Sequence, residues 1–147
     1  MNMRKSLLAT LAVAVVAAGA FAREYKIGDT GPGGGTVFLI EDGKTYEVSE
    51  TLGEGTWARA RSACSGYRGG GYDNWRMPTK RELDLIYKNL DVDEIDDIES
   101  DSPLDIYWSS NGSANSGNGV WVKSFYNGYS GRMDAYCILE AVAVRSF

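Results

Sequence analysis

The spacing of apolar residues changes character several times along this chain. Leu7 to Ala18 is an apolar run interrupted only by Thr10. A polar, glycine-rich stretch (REYKIGDTGPGGG, 23–35) follows. Thr36 to Ile40 is then β-branched and aromatic, which predicts a buried strand. Glu41-Asp42-Gly43-Lys44 predicts a turn. Beyond it Tyr46 and Val48 alternate with polar neighbours as in a half-buried partner strand, so the two runs predict a hairpin. The period next becomes helical. Trp57, Ala60, Cys64 and Tyr67 share one face behind Thr56 as N-cap, and Gly69-Gly70-Gly71 ends that helix. Pro78 precedes Thr79-Lys80-Arg81-Glu82, a capping box in which threonine and glutamate satisfy each other's backbone amides. Leu83, Ile86, Tyr87 and Leu90 supply the apolar stripe of the second helix. From Ile106 the pattern is β again: IYWSS, GVWVKSF (119–125), MDAYCI (133–138) and AVAVRSF (141–147). Strands, two helices, then strands predict an α+β domain.

The N-terminal run changes the domain boundaries. Arg4 and Lys5 precede it, and Ala20-Phe21-Ala22 places small residues where a signal peptidase reads. Residues 1–22 are therefore expected to be a signal peptide cleaved after Ala22, leaving 23–147 as one domain. The run is shorter than the roughly 20 residues that span a bilayer, and no later segment approaches that length. The expected address is secreted, periplasmic or cell-surface associated, with no membrane span. No cysteine lies near the cleavage point to carry a lipid.

Charge and cysteine content narrow the partners. The whole chain carries −5; without Arg4 and Lys5, 13 basic side chains face 20 acidic ones, a net −7. Nucleic acid is disfavoured as a partner, because affinity for it comes largely from neutralising phosphates. Cys64 and Cys137 are an even pair in a chain expected to be exported, so a disulfide is expected between them, two buried thiols being the alternative. Such a bridge would contribute about 3–5 kcal/mol on the chain-entropy model.

The chain has no histidine, so the commonest general base and the commonest zinc ligand are both missing. Ser109 and Ser110 have no adjacent base to activate them and are expected to bond backbone. Carboxylates are dense only in 91–105 (DVDEIDDIESDSPLD), where eight acidic residues lack the glycine and ligand spacing of an EF-hand loop. That segment reads as a solvated acidic loop, with weak calcium binding as the alternative. No enzyme activity, metal or cofactor is expected. Trp75, Trp108 and Trp121 are expected as core anchors, with ligand contact as the alternative, and Arg76 is expected in an internal ion pair or in backbone contacts.

Binding chemistry is concentrated late in the chain. Between Tyr107 and Tyr136, nineteen of thirty residues are Asn, Ser, Gly or Tyr. This is the composition of antibody-like contact loops, where tyrosine gives rigid amphipathic area and small polar residues give adaptable hydrogen bonds. Asn111, Asn115, Asn118, Tyr126, Asn127, Tyr129, Arg132, Asp134 and Tyr136 are the expected ligand surface; ordinary turn chemistry is the competing reading.

Four motifs in order carry a family resemblance: YDNWRMPTKREL (72–83), YWSS (107–110), VWVKSF (120–125) and VAVRSF (142–147). As a set they resemble the Lcl C-terminal domain family, named after a Legionella collagen-like adhesin, over about Ile27 to Phe147. The resemblance implies a C-type-lectin-like fold, with paired termini and two helices flanking a small twisted, mainly antiparallel sheet. Met77 stands for the usual leucine, a volume-conserving change. Ala143 stands where an arginine is common, leaving Arg145 alone. The Glu-Pro-Asn or Gln-Pro-Asp loop of calcium-dependent lectins is missing, so sugar binding through calcium is not expected. Sulfatase-activating formylglycine enzymes share the broader fold but use a reactive cysteine pair; Cys64 on a helix and Cys137 on a strand suit a structural bridge instead. The family's adhesin is associated with sulfated polysaccharides, a class that a net −7 disfavours. The expected function is a metal-independent binding or adhesion module for a glycan or protein ligand outside the cytoplasm. A structural or assembly component of the bacterial cell envelope, docking a fixed protein partner, is the alternative.

Overall fold

The structure, a computed structural model, describes residues 23–115 and 117–147. The expected signal segment 1–22 lies outside them. The hairpin forms where the alternation placed it, with β1 (Thr36–Glu41) antiparallel to β2 (Lys44–Val48). Asp42 and Gly43 both have positive φ, the two-residue turn whose twist suits paired strands.

Both helices begin at their expected caps. In α1 (Trp57–Gly66) the Thr56 hydroxyl accepts the Arg59 N–H. In α2 (Lys80–Asn89) the box is complete: the Glu82 N–H donates to Thr79 Oγ1 at 3.1 Å, and the Thr79 N–H donates to Glu82 Oε1 at 2.9 Å. Glu82 also accepts from both guanidinium nitrogens of Arg76 at 2.7 Å, so of the two roles expected for that arginine the internal ion pair is present. The Gly69–Gly71 segment forms a single 3-10 turn after α1.

The remaining strands are β3 (Glu54–Gly55), β4 (Ile106–Gly112), β5 (Val120–Ser124), β6 (Ser130–Met133), β7 (Leu139–Glu140) and β8 (Val144–Ser146). They do not make one small sheet. One sheet has the order β1-β2-β8 and joins the two ends of the described chain; the other has the order β3-β7-β4-β5-β6. All pairings are antiparallel except that of β4 with β7. The α+β class and the paired termini are as expected; the division into two sheets is not. The late segment 133–138 also differs, because β6 ends at Met133 and a turn follows in which the Cys137 N–H donates to the Asp134 carbonyl.

Two side-chain clusters form the core, one under each helix. Phe38, Leu83, Ile86, Tyr107, Phe125, Val142 and Val144 pack beneath α2. Trp57, Cys64, Trp75, Trp108, Val122, Leu139 and Ala143 pack beneath α1. The chain divides its residues between them by strand periodicity. On β4, Tyr107 enters the first cluster and Trp108 the second. Along 141–144 the alanines enter the second cluster and the valines the first, so Ala143, where the family often has arginine, is fully buried. Trp57, Trp75 and Trp108 each donate their indole N–H to a backbone carbonyl, of Ser109, Gly69 and Gly55, which lets such rings be buried without an unmet donor.

The glycine-rich stretch before β1 has a structural purpose. Glu47 faces inward, fully buried, and accepts the N–H of Gly33 at 3.0 Å and of Gly35 at 2.9 Å. A Cβ at Gly33 would lie 2.7 Å from Glu47 Oε2 and 2.6 Å from Trp75. Arg145 completes the site, donating Nε to Glu47 at 2.8 Å while its guanidinium stacks 3.7 Å from the Tyr72 ring centre.

The expected disulfide is absent: Cys64 and Cys137 are both free thiols. Cys64 is buried in the second cluster, its S–H directed at the Val142 carbonyl at 3.3 Å, and burial pushes its pKa up to about 12. The acidic connection 91–105 is less solvated than expected. Val92 and Ile98 anchor it in the first cluster, and Asp105 is buried.

Candidate ligand-binding cleft

The expected ligand residues fall at two ends of the β5–β6 hairpin. Val120 pairs with Met133 at one end and Lys123 with Ser130 at the other, next to the turn that carries Tyr126, Asn127 and Tyr129. At roughly 3.3 Å per residue the ends are about 10 Å apart. Asn111, Asn118 and Arg132 come together at the first end, lining an open cleft of about 400 Å³ with Ser113 and Trp121. Asp134 lines a smaller adjoining recess that shares Asn118 and Arg132. Asn115 is exposed on the loop above, and Tyr136 projects, 74 % exposed, from the turn after Asp134. Tyr126 and Tyr129 are likewise exposed, but at the other end.

Several of these side chains also serve the backbone. Asn111 Oδ1 accepts the Lys80 N–H at 2.6 Å and so caps the first turn of α2. Asn127 Oδ1 accepts the Tyr129 N–H, and Asp134 Oδ1 accepts the Tyr136 N–H, each shaping its own turn. Ser109 bonds the Trp121 carbonyl at 2.7 Å, a backbone role as expected.

Trp121 is the residue that sequence reasoning misplaced. It is half-buried, not a core anchor, and it lines the cleft. The Lys80 ammonium and the Arg132 guanidinium each lie 4.8 Å from its ring centre. The ring holds two cations at the cleft of an acidic protein, an attraction that strengthens where water is displaced. The signal was in V-W-V-K: Val120 and Val122 are both buried, so strand alternation turns Trp121 to the other face. The cleft thus offers cationic and amide donors around an aromatic ring, a set suited to hydroxyls or anionic groups. It contains no nucleophile–base pair among the described residues. A second cleft of about 730 Å³ lies between the helices, lined by Arg61, Ser62, Ser65, Arg76 and Ser110, but Arg76 is committed there to Glu82.

Among the described residues no helix is long and apolar enough to cross a membrane. No curated protein matches the chain in sequence. The crystal structure of botrocetin is similar in shape, with a TM-score of 0.45 and 11 % identity, over 74 % of this chain and 95 % of that one. A likeness that distant says nothing of a ligand. The model of the Lcl C-terminal domain matches residues 38–145, from the middle of β1 to the middle of β8, and with them the four motifs quoted above except Ser146 and Phe147. The chain belongs to the Lcl C-terminal domain family.

Proposed function

We propose that this chain is an exported, non-catalytic binding module that recognises a glycan through the cleft at Trp121. The observation that carries this reading is the convergence of Trp121, Lys80, Arg132, Asn111 and Asn118 on one open surface. An open cleft with amide and guanidinium donors suits a hydroxyl-rich chain, whose groups exchange water hydrogen bonds for these. The absence of histidine from the sequence and the backbone roles of the serines favour binding over catalysis. Export rests on the n-region, apolar run and Ala20-Phe21-Ala22 pattern, and it sets the ligand outside the cytoplasm.

The rival reading, an envelope component that docks a fixed protein, is favoured by the exposed Tyr126 and Tyr129 at the far end of the hairpin. Glycan-array binding separates the two. Loss of array binding in Trp121→Ala and Arg132→Ala, with retention in a Tyr126→Ala/Tyr129→Ala double variant, supports the cleft. Silence on neutral and anionic glycans alike, with one envelope protein co-purifying through Tyr126 and Tyr129, overturns it. Export is checked by N-terminal sequencing of the mature protein, expected to begin at Arg23; an intact chain found in the cytoplasm overturns that part.

A further inference from the structure

Two arginines that lie over aromatic rings also meet an acid: Arg23 over Tyr25 meets Asp29, and Arg145 over Tyr72 meets Glu47. Arg132 is different. Its guanidinium lies 4.8 Å from the Trp121 ring centre and is exposed, and it enters no ion pair among the described residues.

Strand register brings Arg132 to the ring, because it stands directly across the β5–β6 pairing from Trp121. Lys80 reaches the same ring from the other flank. The Ser110 N–H donates to the Pro78 carbonyl at 2.8 Å and the Lys80 N–H donates to Asn111 at 2.6 Å, which ties the start of α2 to β4. β5 lies between β4 and β6 in the sheet, so the indole holds one cation from the side of each neighbouring strand. A cation already held over a ring loses little freedom when it meets an anion, and a guanidinium presents a fork that matches a carboxylate.

The local charge is small. Lys123, two residues along β5 from Trp121, shares Asp84 with Lys80, at 3.0 and 3.7 Å. Asp134 lines the adjoining recess with Arg132. Three positive groups against two negative ones leave one positive charge, in a chain that carries −5 as a whole. We propose that the Trp121 cleft selects a sugar bearing a single carboxylate, which takes the open fork of Arg132 while the sugar hydroxyls meet Asn111 and Asn118. This rests on the glycan reading above and names the class of sugar. One carboxylate matches the one excess charge, whereas a polysulfated chain brings many that an acidic surface repels. The larger cleft between the helices offers less, since Arg76 is paired there with Glu82 and Arg61 stands alone over Trp57.

The test is binding of the full protein, on an array and by calorimetry, to uronate- and sialate-terminated oligosaccharides. Each is matched with its methyl ester, which keeps the hydroxyls and removes the charge, and a polysulfated glycan is run beside them. The acids should bind about tenfold or more tighter than their esters, the worth of one hydrogen-bonded charge. Arg132→Gln should abolish that preference and Arg132→Lys should restore part of it. Lys80→Gln, a second variant, should reduce the preference as well. Arg132 is exposed, so an unchanged Tm shows that its variants are folded. Equal binding of acid and ester overturns the proposal and leaves the glycan reading standing. Tighter binding of the polysulfated glycan overturns it too, as does a preference that survives Arg132→Gln and is lost in Arg61→Gln. Silence on every sugar removes the glycan reading and the proposal with it.

Discussion

Glu47 and Glu140 are both buried glutamates on short strands, and they are surrounded in opposite ways. Around Glu47 the chain supplies two glycine N–H groups and an arginine that is itself held among Tyr72, Trp75 and Phe147. Around Glu140 it supplies Asp105, Glu54 and Glu99, all of the same sign. The difference shows what burial of charge requires. A carboxylate can be taken fully out of water when donors are built for it, and those donors fix the geometry of everything nearby. Without them the group resists ionisation: burial first, then the Glu54 and Asp105 charges, raise the Glu140 pKa from 4.5 to about 7.

Removing the partner from the satisfied site should make Glu47 resemble Glu140, and it is the largest effect expected. Arg145→Met leaves a fully buried carboxylate without its cation and should cost about 3–5 kcal/mol in denaturant unfolding; a loss below 1 kcal/mol would mean the pair is not what holds the terminal strand. Next comes the cradle. Gly33→Ala places a methyl against Glu47 and Trp75 and should cost about 1–3 kcal/mol, measured in the same way.

The unsatisfied site should show itself through pH. Because the folded-state pKa of Glu140 lies above its ordinary value, its contribution is fully favourable below pH 4.5 and is lost as pH rises through about 7. Glu82 runs the other way. Burial acts to raise its pKa, but the Arg76 hydrogen bonds outweigh it and hold the carboxyl below the usual range, so its contribution is present above the ordinary carboxylate pKa and is lost in acid. Tm measured across pH should therefore pass through a maximum in mildly acidic solution. Glu140→Gln should flatten the decline above it and leave the acid limb alone; an unchanged alkaline limb would place the titrating group elsewhere. The smallest effect is a control. Cys137→Ser, like added reductant, should shift stability by no more than about 0.5 kcal/mol, since both cysteines are free. A loss of several kcal/mol on reduction would restore the bridge.

What the sequence disclosed follows the range of the interactions involved. Thr56, the Thr79–Glu82 box and the Asp42-Gly43 turn act within three or four residues, and each was readable as a local pattern. Glu47 was not. Alternation around Tyr46 and Val48 turns it to solvent, and only the folded chain brings Gly33, Gly35 and Arg145, the last of them 98 residues away, to enclose it. The candidate cleft was half legible. Composition drew attention to the stretch that holds Asn111, Asn118 and Arg132, but three of the nine expected residues sit at the other end of a hairpin, and Trp121, which lines the cleft, reads in sequence as a core residue. Glu140 on β7 meets Asp105 and Glu99 from a connection more than thirty residues earlier, so these acids could be counted in sequence but not seen to meet.

The placement of the tryptophans also makes the molecule its own optical probe. Trp57, Trp75 and Trp108 are sealed in the interior with their N–H groups bonded to carbonyls, whereas Trp121 stands at the cleft between two cations. A ligand entering that cleft, as proposed above, would change the polarity and the charge around one indole and leave three unaltered. The emission spectrum thus divides into a constant background and a single responsive fluorophore, and replacing Trp121 by phenylalanine should silence the response while the background persists.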